Sequence, residues 1–192
     1  MEKRLPECLL VAAGKSQRMK PWKLGLPWGE GSMLERSMQA PLQAGCSLIV
    51  VGGAHWRALR SMIGSEALLL RNRFWWQGMG VSVRRGLKHM DGGWMFLANA
   101  DMPLVQAQDY ERLASLISDQ YDVIRPVWKG QKGHPVLVSR HAVNHILAAP
   151  ANEPIRESLS SMSTLAVEWS HSGVVDDVDT PEDYARLRPT PG

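Results

Sequence analysis

The stretch of sequence that decides the fold is Cys8-Leu9-Leu10-Val11-Ala12-Ala13-Gly14-Lys15-Ser16-Gln17-Arg18-Met19-Lys20-Pro21-Trp22-Lys23. Its apolar part, Leu9 to Ala12, is bounded by small residues, which predicts a short and fully buried strand. The small residues after it let a ligand lie close to the backbone. Four cations follow, and cations together with backbone N–H groups bind anions. The stretch therefore predicts a triphosphate-binding loop at the carboxyl end of the first strand of an α/β sheet.

Two better-known phosphate-binding motifs do not fit this loop. Gly14-Lys15-Ser16 matches the end of a P-loop, but that motif needs an earlier glycine where this chain has Leu9. The dinucleotide-binding pattern Gly-x-Gly-x-x-Gly fails as well, because Ser16 and Met19 stand where glycines are required. The structural alternative that stays open is an ordinary strand followed by a basic surface turn.

Length and composition favour one globular domain over residues 1–192. Hydrophobic residues make up 44% of the chain and charged residues 21%. No apolar run approaches the roughly 20 residues of a membrane span, and no hydrophobic signal segment precedes the first strand, so we expect a cytoplasmic protein without a membrane partner. The net charge of +3 is not gathered into a basic block and suits phosphorylated small molecules. We expect no nucleic-acid partner, and we expect Cys8 and Cys46 to be buried, reduced thiols.

Strand-like and helix-like segments alternate through the first half of the chain. Ser32 and Glu35 form the pattern of a capping box, which predicts a helix that ends near Ala44. Alternation at this spacing is typical of βαβ units, so we predict a three-layer, Rossmann-like α/β domain with a mostly parallel central sheet. Ligands of such sheets bind outside the carboxyl ends of the strands, where the opening loop lies. The predicted segments are strands at 47–51, 67–70, 94–98, 122–126 and 165–169, and helices at 32–44, 56–63, 106–117, 140–147 and 152–159.

Asp101 directly follows the strand predicted at 94–98. A carboxylate at this edge of the sheet would point into the same cleft as the phosphate loop, and Mg²⁺ prefers one or two carboxylates together with phosphate oxygens and water. We therefore predict that Asp101 is a Mg²⁺ ligand. The structural alternative is that Asp101 caps the next helix, with Pro103 near its first turn.

Several segments resemble motifs of the molybdenum-cofactor nucleotidyltransferases, within the wider NTP-transferase family. Residues 10–23 resemble the family's L-A-A-G-x-S-x-R-M…K signature, with a lysine at position 23. Further resemblances follow in the family's order, and together they run from Leu9 to Tyr184. They are a glycine-rich segment at 78–87, Asp101-Met102-Pro103, Gly133-His134-Pro135-Val136-Leu137, and Asp177-Val178-Asp179-Thr180-Pro181-Glu182-Asp183-Tyr184.

The resemblance implies a fold of the nucleotide-diphospho-sugar transferase type and a role for each matched residue. Arg18, Lys23 and Asp101 would be catalytic, and Asp101 and Asp179 would hold Mg²⁺. The segment with Gly133, His134 and Pro135 would face the acceptor substrate, although His134 as a purely structural turn residue stays open. The nucleotide would contact Ala12, Ala13, Gly14, Ser16, Arg18, Lys23, Gly80 and Ser82, with Arg84 or Arg85 near a phosphate.

The resemblance also implies a reaction. Members of this family with Ala-Ala-Gly in the loop transfer CMP from CTP to the terminal phosphate of molybdopterin cofactor and release pyrophosphate, whereas guanylyl members have Ala-Gly-Gly. Ala12-Ala13-Gly14 therefore favours CTP, because a methyl group at Ala13 would crowd a purine. The attacking phosphate monoester is largely dianionic at neutral pH, since its second pKa is about 6, so no protein base is needed.

One position departs from the family, and other functions stay open. Lys20 stands where members usually have glycine, and Pro21, which restricts the backbone before it, follows. The alternatives are a guanylyl- or sugar-phosphate nucleotidyltransferase of the same fold, and a non-catalytic carrier or insertion chaperone for the cofactor. A client molybdoenzyme is the further partner that these functions imply.

Overall fold

A computed structural model describes residues 5–189. Its strands are β1 (Glu7–Ala12), β2 (Pro27–Trp28), β3 (Gly31–Ser32), β4 (Leu48–Gly52), β5 (Ala67–Arg71), β6 (Trp94–Asn99), β7 (Val123–Trp128), β8 (Gln131–Lys132), β9 (Val136–Ser139) and β10 (Thr164–Glu168). Its α-helices are α1 (Met33–Gln43), α2 (Trp56–Met62), α3 (Met79–Leu87), α4 (Ala107–Ser115), α5 (Arg140–Ala148), α6 (Ile155–Ser158) and α7 (Pro181–Leu187).

The central sheet has the strand order β5-β4-β1-β6-β9-β7-β10, with β8 paired to β7. Strand β1 lies between β4 and β6 and is parallel to both, so the loop that follows β1 leaves the middle of the sheet. Within the described residues, β9 and the short β8 run against the other strands of this sheet. The prediction of a mostly parallel sheet is therefore confirmed, but the antiparallel β9 was not foreseen.

Side chains alternate along a strand, so neighbouring apolar residues of β1 are buried on opposite faces of the sheet. Cys8 and Leu10 pack in one core, which α1 and α4 cover, while Leu9 packs in a second core, which α3 and α5 cover. Helices on both faces of one sheet make three layers, which confirms the predicted architecture. Both cysteines are buried free thiols, as expected. None of the helices within residues 5–189 has the length and apolar character needed to cross a bilayer.

The capping box predicted at the start of α1 is present. The Ser32 hydroxyl accepts a hydrogen bond from the Glu35 N–H at 3.2 Å, and the Glu35 carboxylate accepts one from the Ser32 N–H at 2.6 Å. The structural alternative, in which Asp101 caps the next helix, is wrong, because α4 begins only at Ala107, with Gln106 as its N-cap residue. Asp101 is therefore left free of helix capping. The helix predicted at 152–159 is also shorter than expected and covers only Ile155–Ser158.

Candidate active site

The loop after β1 borders a cavity of about 390 Å³ at the carboxyl ends of β1 and β6. Nearly all residues that the sequence assigned to the nucleotide lie around it, although they come from distant parts of the chain. Gly80 is the exception, because it borders a neighbouring cavity instead. The predicted residues that line the first cavity are Ala12, Ala13, Gly14, Ser16, Arg18, Lys23, Ser82, Asp101 and Asp179.

Buried anchors and backbone hydrogen bonds hold the loop in place. Met19 and Leu24 are buried in the core below it, and Ser16 closes a turn by accepting a hydrogen bond from the Met19 N–H at 3.1 Å. Ser16 has a positive φ of 55°, a conformation that few non-glycine residues adopt. The Ala13 carbonyl accepts a hydrogen bond at 3.2 Å from the N–H of Ala54, in the segment after β4. The loop is thus a fixed cradle with its small residues facing the cavity.

A cluster of charged side chains faces this cradle. The Lys23 ammonium group lies 2.7 Å from an Asp101 carboxylate oxygen and 2.8 Å from one of Asp179. Arg18 pairs with the other Asp179 oxygen. Asp179 is brought here by the segment before α7, where the Val178 N–H donates to the Asp101 carbonyl at 2.9 Å. Both aspartates were predicted at this site from the sequence, and in the structure both form ion pairs with Lys23.

These charges hold one another in their ionised forms. Burial would lower the pKa of Lys23, but the carboxylates of Asp101 and Asp179 outweigh it and raise that pKa above its ordinary value. Burial likewise raises the pKa of Asp179, but Lys23 and Arg18 outweigh it, so the pKa of this carboxyl is lowered. The cluster therefore carries fixed charges of both signs at neutral pH.

Asp101 and Asp179 fit a divalent cation whose remaining ligands come from a nucleotide. The second carboxylate oxygen of Asp101 is buried and has no hydrogen-bond partner, which is unusual for a buried acceptor. Across residues 5–189 no group of three or more metal-binding side chains exists, so a cation held by Asp101 and Asp179 would need further ligands from a substrate or from water. Two carboxylates completed by phosphate oxygens and water are what Mg²⁺ prefers.

The residues of the segment at 78–87 do not all face the cavity. Ser82 is buried at the cavity, where its hydroxyl accepts a hydrogen bond from the Asn72 side chain at 2.9 Å. Arg84 does not line the cavity, since its guanidinium group donates to the carbonyls of Ile146 at 3.2 Å and Glu153 at 3.0 Å. Arg85 is exposed on α3 and also lies outside the cavity. The placement of Arg84 or Arg85 beside the nucleotide is therefore corrected.

A second cavity, of about 470 Å³, adjoins the first and contains His134. The two cavities share lining residues from β1, from the start of α3 and from the end of β6, so two substrates could meet between them. Gly133 cannot carry a side chain, because a Cβ atom there would lie 2.4 Å from the Val174 carbonyl oxygen. The Arg125 guanidinium donates to the Gly133 carbonyl at 3.1 Å. Gly133 and Pro135 thus flank and position His134 without lining this cavity themselves.

The His134 imidazole is neutral at pH 7. Burial, followed by the nearby Arg125 charge, lowers the pKa of His134 from 6.5 to about 4. This histidine is thus a weak base, but it can still donate one N–H to a phosphate.

Replacing His134 with glutamine is expected to flatten the pH dependence of stability. The pKa of His134 is lower in the folded state than in the unfolded state, so protonation favours unfolding. The stability that depends on neutral His134 is therefore present above pH 6.5 and is lost as the pH falls towards 4. We expect the wild type to lose about 2 kcal/mol more than His134→Gln between pH 7 and pH 5. Urea unfolding at the two pH values measures this, with exposed His145→Gln as the control. Equal losses in the wild type and His134→Gln would contradict the assignment.

Among the residues that the sequence did not assign are a glycine beside the loop and two tryptophans at the cavity. Trp75 and Trp76 line it, and Trp76 is 62% exposed. Gly53 lets Trp75 approach the loop, because a Cβ atom at Gly53 would lie 2.5 Å from the Trp75 Cβ atom and 2.6 Å from the Ala13 oxygen. The signal that could have found them is the Gly52-Gly53 pair at the end of a strand, followed by an unusual run of aromatic residues.

The fold and this cavity together define a nucleotidyltransferase. A cradle of small residues and cations at the carboxyl edge of a parallel sheet binds the phosphates of a nucleotide. The lysine opposite it can stabilise the negative charge that develops during transfer of a nucleotidyl group, and the two carboxylates can hold a divalent cation that does the same.

The chain belongs to the MobA-like NTP transferase family, whose sequence profile matches residues 8–166. It is 29% identical over 180 residues to the molybdenum cofactor cytidylyltransferase of Escherichia coli K12, covering 93% of each chain. It is 21% identical over 137 residues to a probable molybdenum cofactor guanylyltransferase of Bacillus cytotoxicus, covering 69% of this chain and 67% of the relative.

Solved structures share the fold. The crystal structure of Rv0371c from Mycobacterium tuberculosis H37Rv superimposes with a TM-score of 0.83 at 23% identity, covering 98% of this chain and 99% of that one. The same mycobacterial protein has also been solved as a complex with manganese, and that structure gives a TM-score of 0.78 at 22% identity, covering 96% and 98% of the two chains.

Proposed function

We propose that this protein transfers CMP from CTP to the terminal phosphate of molybdopterin cofactor, with release of pyrophosphate, in the cytoplasm. The observation that carries the proposal is the Lys23–Asp101–Asp179 cluster beside a small-residue cradle, with a second cavity adjoining it. The name of the Escherichia coli relative supports the choice of CTP and of the acceptor.

The triphosphate binds along the cradle, with backbone N–H groups of residues 12–16 facing its oxygens. Arg18 and Lys23 neutralise charge on the α-phosphate and on the leaving pyrophosphate. An oxygen of the acceptor's phosphate attacks the α-phosphorus, one P–O bond forms, and the bond to the β-phosphate breaks as pyrophosphate departs. The attacking phosphate carries no proton that must be removed, so this chain's contribution is positioning and charge neutralisation. A divalent cation on Asp101 and Asp179 would supply further charge neutralisation at the phosphate oxygens.

The acceptor lies in the cavity that contains His134. The neutral imidazole donates one hydrogen bond, and Arg125 adds a positive charge beside it. The Arg125 Nε–H is buried and has no partner, so it is available to an acceptor oxygen. These two side chains orient the acceptor towards the cradle without acting as a base.

Pyrophosphate release from CTP, GTP, ATP and UTP tests the proposal, measured with Mg²⁺ or Mn²⁺ and with or without molybdopterin cofactor. We expect release from CTP that depends on both the cofactor and the divalent cation. Release with a sugar phosphate in place of the cofactor would assign a different acceptor. Tight binding of the cofactor without turnover of any nucleotide would contradict the enzyme and favour a carrier.

Ala13→Gly is expected to move the nucleotide preference towards GTP. Ala13 is buried and lines the cavity, so removing its methyl group makes room there for a larger base. One methyl group in a pocket typically changes discrimination by about tenfold or more. The measurement is the ratio of kcat/KM for CTP to that for GTP, with Ala44→Gly as the control for a small buried residue outside the cavity. An unchanged ratio in Ala13→Gly would show that another residue selects the base.

A further inference from the structure

A basic cleft lies outside the catalytic cavity, between α3 and the segment that follows α5. Its volume is about 570 Å³, within the range of small-molecule sites. No acidic side chain lines it, whereas five cations do, and they come from the end of β5, the segment just after it, α3 and the residue that follows α3. These cations are Arg71, Arg73, Arg84, Arg85 and Lys88.

The positive charge of the basic cleft is not neutralised by the protein. Among residues 5–189, none of the five cations forms an ion pair with a carboxylate. Arg71 instead lies over the ring of Trp56, 5.6 Å from its centroid. Several like charges around one concave surface raise the local concentration of anions. The cleft is therefore built to attract an anionic ligand.

Arg84 gives the basic cleft a fixed donor. This side chain is only 8% exposed, and its Nε and Nη1 atoms donate to the carbonyls of Ile146 and Glu153. Its third nitrogen, Nη2, is buried and has no hydrogen-bond partner. A buried charged group left without a partner is costly, and an anion that reached Arg84 would remove that cost. Because two of its nitrogens are anchored, the guanidinium plane is held in position before a ligand binds.

We propose that the basic cleft is a second binding site, separate from the catalytic cavity, for the phosphate groups of a small molecule. Guanidinium groups match phosphate oxygens in pairs, and Lys88 adds a point charge at the rim. Phe74 also borders the cleft and is 56% exposed, which offers a ring surface to a planar group on the same ligand. The concave shape favours a phosphorylated small molecule over an extended acidic peptide.

Binding of inorganic pyrophosphate, measured by titration calorimetry without divalent cations, tests the proposal on the full chain. Lys23→Met serves as the background, because it weakens phosphate binding in the catalytic cavity. We expect one pyrophosphate site to remain, and we expect Arg85→Glu/Lys88→Glu to lower its affinity at least about tenfold. The control is Arg57→Glu/Arg60→Glu, which reverses two exposed cations at the same spacing on α2.

Three outcomes would overturn the proposal. They are no residual pyrophosphate site in the Lys23→Met background, equal affinity in the two charge-reversal variants, and binding of a poly-glutamate peptide where pyrophosphate does not bind. Both reversed pairs are exposed, so the melting temperatures of the two variants should match that of the wild type. If Lys23→Met is unstable, Arg18→Ala is a second background in which to repeat the titration. The titration does not depend on turnover, so its result stands whether or not the proposed transferase activity is found.

Discussion

Asp101→Asn is expected to lower the rate of pyrophosphate release by roughly 10²–10³-fold, the usual cost of losing one group that stabilises transition-state charge. Asparagine keeps the size of the side chain but removes the charge that faces Lys23 at 2.7 Å. It also replaces one carboxylate oxygen by an NH₂ group, which cannot bind a cation. We expect most of the loss to appear in kcat. We also expect Asp101→Asn to need a higher concentration of Mg²⁺ or Mn²⁺ than the wild type to reach its half-maximal rate.

The control for this prediction is Asp176→Asn. Asp176 lies a few residues before Asp179 and faces Arg186 at 3.5 Å, away from the cluster. Its replacement should leave both kcat and the metal dependence close to those of the wild type. Near-normal turnover of Asp101→Asn, with an unchanged metal requirement, would remove Asp101 from the reaction.

Lys23→Met is expected to have two separable effects. The first is a fall in kcat of roughly 10²-fold or more, because the variant lacks the cation that faces the cradle. The second is a loss of stability in the absence of metal, since Asp101 and Asp179 would then lie close together without the lysine between them. Removing one partner of a largely buried ion pair costs about 3 kcal/mol. Urea unfolding in EDTA measures the second effect, and kinetics measure the first.

Lys23→Met also tests how a divalent cation changes the free energy of unfolding. Added Mn²⁺ should restore more stability to Lys23→Met than to the wild type, because the cation takes the place of the lost ammonium charge. Lys20→Met is the matched control, since Lys20 is exposed and lies in the same loop but outside the cavity. If Lys23→Met and Lys20→Met unfold alike with and without Mn²⁺, the cluster does not hold the two aspartates as described.

Sequence reasoning succeeded for features that are set by neighbouring residues. The buried strand before the loop and the capping box of Ser32 and Glu35 each depend on a few adjacent side chains. Asp101 was placed at the sheet edge for the same reason, because it directly follows a buried strand. Such local signals were sufficient to predict the layers of the fold and the cradle.

The failures concern contacts between distant parts of the chain. Arg84 was placed near a phosphate only by the resemblance of the glycine-rich segment, but its guanidinium donates to carbonyls that lie 62 and 69 residues away in the sequence. The antiparallel direction of β9 could not be predicted from the sequence either, because the residues of an apolar strand do not indicate its direction in the sheet. Gly80 was placed with Ser82 at the nucleotide by the same resemblance, although residues two apart on a helix point in different directions and these two border different cavities.

If the protein is a cytidylyltransferase, the CMP group must pass from CTP to the cofactor at this site. The most direct test is to incubate the protein with CTP labelled in its α-phosphate, molybdopterin cofactor and Mg²⁺, and to follow the label by chromatography and mass spectrometry. In the wild type, label should enter the cofactor in an amount equal to the pyrophosphate released, whereas Asp101→Asn should transfer none. Pyrophosphate released with the label left in free CMP, or label transferred equally well by Asp101→Asn, would contradict this function.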